Sequence, residues 1–74
     1  MLKVITYKIA NGKKRTRTTA YNTMTEVKFR KILSNQVMKT RHCDGVDVYF
    51  VEIIHGNIAV KLQYGEIISM RYID

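Results

Sequence analysis

Residues 2–21 read LKVITYKIANGKKRTRTTAY, and this stretch decides the architecture. Leu2 to Ala10 alternates as a strand, Asn11-Gly12 supplies the two left-handed positions of a tight hairpin turn, and Lys13 to Tyr21 continues outward. With Asn11 and Gly12 as a two-residue loop, Ala10 opposes Lys13, Lys8 opposes Arg15 and Thr6 opposes Arg17. The remaining pairs are Ile9 with Lys14, Tyr7 with Thr16 and Ile5 with Thr18. Side chains alternate strictly along a strand. One face of the hairpin is therefore apolar, built on Ile5, Tyr7 and Ile9, and the other carries Lys8, Lys13, Arg15 and Arg17.

Downstream, residues 23–40 read TMTEVKFRKILSNQVMKT. Thr23 and Glu26 fit a capping box, which satisfies the free amides at a helix start. A helix from about Met24 to Lys39 aligns Phe29, Ile32, Leu33 and Val37 on the face expected to lie on the sheet. Lys28, Lys31, Asn35 and Lys39 form a basic polar stripe away from it, and Met24, Val27 and Met38 a third line that is partly exposed. RHCDG ends the helix, with Gly45 supplying the turn. VDVYFVEIIH (46–55) has apolar residues on both faces, as a central strand does. IAVKLQY (58–64) and IISMRYI (67–73) follow, each after a glycine turn. The expected fold is a single α+β domain over residues 1–74, ordered ββαβββ, with a mostly antiparallel sheet and one helix packed on a face.

Composition agrees. Isoleucine and valine supply 16 of the 74 residues, and proline and tryptophan are absent, a balance that favours strands. One cysteine excludes an internal disulfide, and no stretch is apolar enough for a membrane span or a signal peptide, so a reducing cytoplasm is the expected setting. A chain this short sits near the lower limit for a self-sufficient core. Several strands keep apolar residues on both sides, more than one helix covers. A homodimer through the sheet or through Met24, Val27 and Met38 is expected to bury the excess.

The net charge of +7 is unevenly divided: residues 1–41 carry +10 and residues 42–74 carry −3. The basic half seeks an anionic partner, which the acidic half of a second copy would also satisfy. The candidate partner-binding residues are Lys8, Lys13, Arg15, Arg17, Lys28, Lys31 and Lys39. Like charges directly opposite one another destabilise a sheet, and Lys8 faces Arg15 unless an anion relieves them. The alternative is a solvated hairpin face whose lysines discourage edge aggregation.

No enzyme is expected. His42-Cys43-Asp44 has catalytic residue types, but adjacent loop residues rarely reach the geometry of a nucleophile, base and orienting group. One cysteine and two histidines make no metal-ligand set, and four glycines form no phosphate loop, so neither metal nor cofactor is expected. Tyr21, Tyr64 and Tyr72 have the option of exposure, but the aromatic signature of an RNA-recognition motif is missing.

From MLKVITYK to SMRYID the chain resembles, in length and composition, the small early host-takeover proteins of phages that infect low-GC Gram-positive bacteria. It is also similar in style to a staphylococcal phage inhibitor of the DNA polymerase sliding clamp. The resemblance implies a non-enzymatic protein of the host cytoplasm that binds and inhibits a replication protein, the clamp foremost. Clamp-binding peptides place Leu and an aromatic after Gln. The stretches starting at Gln36 and Gln63 depart from that pattern, so a clamp would be bound in another mode. The residues themselves keep a second option open, a nucleic-acid-binding module that contacts phosphates through the basic hairpin and helix face.

Overall fold

The computed structural model describes residues 2–22, 25–42 and 45–73. It contains β1 (Leu2–Ala10), β2 (Lys13–Tyr21), α1 (Glu26–Arg41), β3 (Val48–His55), β4 (Ile58–Gln63) and β5 (Glu66–Tyr72). The five strands form one antiparallel sheet in the order β2-β1-β3-β4-β5. The expected α+β class and the ββαβββ order are present, and β3 is the central strand.

The hairpin has the register read from the turn, with Lys8 opposite Arg15 and Tyr7 opposite Thr16. Asn11 and Gly12 take φ of 53° and 76°, as a two-residue turn of this hand requires. Both β2 and β3 run antiparallel to β1, so the β2–α1–β3 connection is a crossover that passes over β1.

The helix begins later than the capping box predicts. Thr25 is the N-cap, its Oγ1 accepting from the Lys28 amide at 3.4 Å, and Glu26 is spent on an ion pair with Arg30 at 2.7 Å. Thr23 and Met24 lie outside the described residues. The buried line also differs from the predicted stripe. Ile32, Gln36 and Thr40 are buried, while Phe29, Leu33 and Val37 flank them half-buried.

Register decides which sheet face receives this helix. Leu2 pairs with His55 and Val4 with Ile53; Ile53 then pairs with Val60, and Val51 with Leu62. Paired residues share a face, so Leu2, Val4, Val51, Ile53, Val60 and Leu62 stand together, and with Ile32 and Tyr49 they form the core. The same face carries Lys8 and Arg15. The helix therefore lies on the basic side of the hairpin, and the side of Ile5, Tyr7 and Ile9 stays open.

Two contacts fix the helix along the sheet. At its start the Phe29 ring stacks on His55, with centroids 4.6 Å apart. At its end the buried Thr40 hydroxyl donates to the Val37 carbonyl and accepts from the Gly65 amide, both at 3.1 Å. Gly65 has φ of +75°, and a Cβ there would meet Arg41 Nε at 2.8 Å, so the turn between β4 and β5 approaches the helix as only glycine allows.

One core group is poorly served: Gln36 Oε1 is buried and has no hydrogen-bond partner among the described residues. An unmet acceptor costs about 1–3 kcal/mol. Gln36→Leu is expected to raise stability by about 1 kcal/mol, or about 4–8 °C in Tm. Thr40→Val, which strips the Gly65 amide of its acceptor, is expected to lower stability by about 1–3 kcal/mol. Thermal and urea unfolding of both variants checks this pair, and a destabilised Gln36→Leu would show that the amide has a role in the core.

Candidate functional site

The helix leaves the distal part of β1 and most of β2 uncovered on its own side. The first row of cations stands there. Lys8 and the β2 residues Lys13, Arg15 and Arg17 all point to the helix side by register and are all exposed. At the hairpin tip Lys8, Ala10, Asn11, Lys13 and Arg15 line an open recess of about 320 Å³.

A second row comes from the helix flank. Lys28 Nζ lies 5.5 Å from the Tyr21 ring centroid at the end of β2, whereas Arg41 lies against Gly65 at the other side of the molecule. The Lys28 flank therefore faces the hairpin. At about 100° per residue, Lys39 falls within about 20° of Lys28 but about 16 Å further along the helix, next to Thr40 and the β4–β5 turn. Lys31 stands between them, higher on the helix. Phe29 against His55 and Thr40 against Gly65 set this direction. Lys8, Lys13, Arg15 and Arg17 thus border an open trough beside the helix, with Thr6 and Thr19 in it, and Lys28 reaches it at the Tyr21 end; Lys31 stands on the helix crest, and Lys39 lies near the β4–β5 turn.

The electrostatics are one-sided. Among the described residues none of these seven cations forms an ion pair; the pairs Glu26–Arg30 and Glu52–Arg71 lie elsewhere. Asp47 stands at the rim, where its amide bonds the Ile9 carbonyl at 2.8 Å. The predicted conflict between Lys8 and Arg15 is real in the register, and the protein relieves part of it. Lys8 Nζ sits 5.1 Å from the Tyr49 ring centroid, and a cation over a ring face contributes about 0.5–1 kcal/mol or more.

The remaining candidates are placed as follows. Val27 and Met38 are 66% and 61% exposed on the solvent crest of the helix, about three turns apart with Lys31 and Ser34 between them. They are isolated side chains rather than one patch, and Met24 lies outside the described residues. Cys43 and Asp44 also lie outside them, and His42 is an exposed helix C-cap whose amide donates to the Met38 carbonyl. Tyr64 and Tyr72 are exposed, while Tyr21 is half-buried.

Two features were not read from the sequence. On the open face the rings of Tyr7 and Phe50 stack at 4.5 Å, and Lys61 Nζ lies 4.3 Å from the Phe50 centroid. The Phe50 ring is thereby sandwiched, which makes it a poor platform for a nucleic-acid base. The edge strand β5 is exposed along its whole length. Comparison with known proteins finds no matching protein family, curated sequence or solved structure.

Since Lys8 and Arg15 oppose one another across the hairpin, removing one charge must stabilise the free protein. Arg15→Gln is expected to raise stability by a few tenths to about 1 kcal/mol at low salt. The gain should vanish near 1 M salt, where screening acts within about 3 Å. Urea unfolding at the two salt concentrations measures it; destabilisation at low salt would mean that Arg15 has a favourable partner in the fold.

Proposed function

We propose that this chain is a non-enzymatic binding protein whose cationic trough holds the phosphate backbone of a nucleic acid. The observation that carries this reading is the row of Lys8, Lys13, Arg15 and Arg17 on one exposed face of the hairpin, joined by Lys28 of the helix over Tyr21, without a paired acid among the described residues. Phosphates answer such a surface by charge, and each neutralised phosphate releases bound counterions. The sandwiched Phe50 ring argues for backbone contact over base stacking. No helix among the described residues is long and apolar enough to cross a membrane, and the proposed setting is the cytoplasm.

A second reading keeps the phage-type inhibitor of a host replication protein, the sliding clamp first. The observation in its favour is the open sheet face, where Ile5, Tyr7, Ile9, Phe50 and Ile54 stand half-buried with no element above them among the described residues. Aromatic and apolar residues of this kind are enriched at the centre of protein interfaces.

Fluorescence titration of DNA and RNA oligonucleotides at several salt concentrations tests the first reading. A slope of log K against log salt of about −4 to −6 is expected for duplex DNA. Neutralising Arg15 and Arg17 together should reduce its magnitude by about 2 and weaken binding to all sequences alike. Absence of binding at low salt would remove the nucleic-acid reading. A pull-down from bacterial lysate with nuclease present addresses the second, which requires a replication protein to be retained.

A further inference from the structure

From the two sheet edges we infer that β5 pairs antiparallel with β5 of a second copy, giving a dimer with one continuous ten-stranded sheet. The argument begins with the contrast between the edges. β2 carries Lys13, Lys14, Arg15 and Arg17, and charges of one sign on an edge prevent strand addition. β5 reads EIISMRY, with one acid and one base, and exposes Ile67, Ile68, Met70 and Tyr72 at 48%, 47%, 64% and 77%. Its one protective feature is a bulge near Ile68, set against four apolar side chains.

Register selects the arrangement. Ile67 pairs with Leu62 and Met70 with Val60, so both point to the helix side; Glu66 pairs with Gln63 and Arg71 with Ala59, so both point to the open side. A two-fold axis between Ile68 and Ser69 sets Ile67 opposite Met70 of the second copy, and Glu66 opposite Arg71 of the second copy. Both of these pairs then share a face, the bulged Ile68 lies beside the axis, and the one acid meets the one base twice. Shifting the pairing by one residue in either direction opposes side chains from different faces, which a sheet does not accept. Arg71 is able to take part: its contact with Glu52 is 3.4 Å long and its side chain remains 63% exposed.

The dimer also fits the bulk of the molecule. The helix lies over β3 and β4 and to a lesser extent β5. Across the two-fold the helices would stand roughly 14–19 Å apart at ordinary strand spacing. That exceeds the 8–10 Å of direct helix packing, so they do not collide, and Ile67, Met70 and Tyr72 of both copies fill the strip between them. The two basic hairpins end up at opposite edges, about 40 Å apart. Salt screens charges beyond about 8 Å, so a chain of net charge +7 associates this way without bringing its cations together.

Light scattering on the purified chain decides the matter, and it does so independently of any nucleic acid. The expected mass is twice the 8.7 kDa of one chain. Met70→Lys and Glu66→Arg should each halve it while circular dichroism stays unchanged, since both side chains are exposed. Mixing Glu66→Arg with Arg71→Glu protein should restore a dimer, because the two charge reversals complement each other across the axis. Val27→Glu with Met38→Glu on the helix crest should leave the mass unchanged. A monomeric wild-type chain, or a dimer that survives Met70→Lys and dissociates with the crest substitutions, would overturn the inference.

Discussion

A single helix is about 10 Å wide, roughly two strand spacings, and this sheet has five strands. Whatever position α1 takes, most of the sheet surface must remain uncovered. The helix settles where apolar residues from three strands coincide, over Leu2, Val4, Val51, Ile53, Val60 and Leu62. The Thr40–Gly65 bond and the Phe29–His55 stack hold it along the strands at that place. Everything left outside that footprint becomes surface: the basic end of the hairpin on the same face, the whole opposite face, and both edges.

The trough follows from this placement. Had the helix covered the Ile5, Tyr7 and Ile9 face, its lysine flank and the hairpin cations would lie on opposite sides of the sheet. Because it covers the other, the hairpin cations and Lys28 stand on one side of the sheet with Thr6 and Thr19 between them. The Tyr49 ring offsets part of the repulsion at Lys8. The open face is treated differently. There Lys61 caps Phe50, Phe50 stacks on Tyr7, and Glu52 meets Arg71, so the polar and aromatic groups satisfy one another.

Much of this was legible before any coordinates. Asn11-Gly12 dictates the hairpin register, and with it the sorting of Lys8, Lys13, Arg15 and Arg17 to one face. The helical spacing brings Lys28 and Lys39 to one flank. The choice of sheet face was hidden, because β1 by itself carries three apolar residues on each side, Leu2, Val4 and Ala10 against Ile5, Tyr7 and Ile9. The deciding strand is β4, where Ile58, Val60 and Leu62 alternate with Ala59, Lys61 and Gln63. Only the pairing of His55 with Ile58 across Gly56-Asn57 links that alternation to Leu2 and Val4. The late helix start was hidden too, since Thr23 and Thr25 both offer a capping hydroxyl and sequence spacing favoured the first. Gln36 and Thr40 escaped because a polar type at a buried position is unusual, although both continue the i+4 line from Ile32.

The central claim is that the trough, and not the open face, is the working surface. Amide-resolved NMR titration with a short DNA duplex tests it most directly. The account predicts shifts concentrated at Lys8, at Lys13 to Arg17 and at Lys28, with Phe50, Ile54 and Lys61 unmoved. Shifts centred on Phe50 and its neighbours, with the hairpin tip silent, would contradict it.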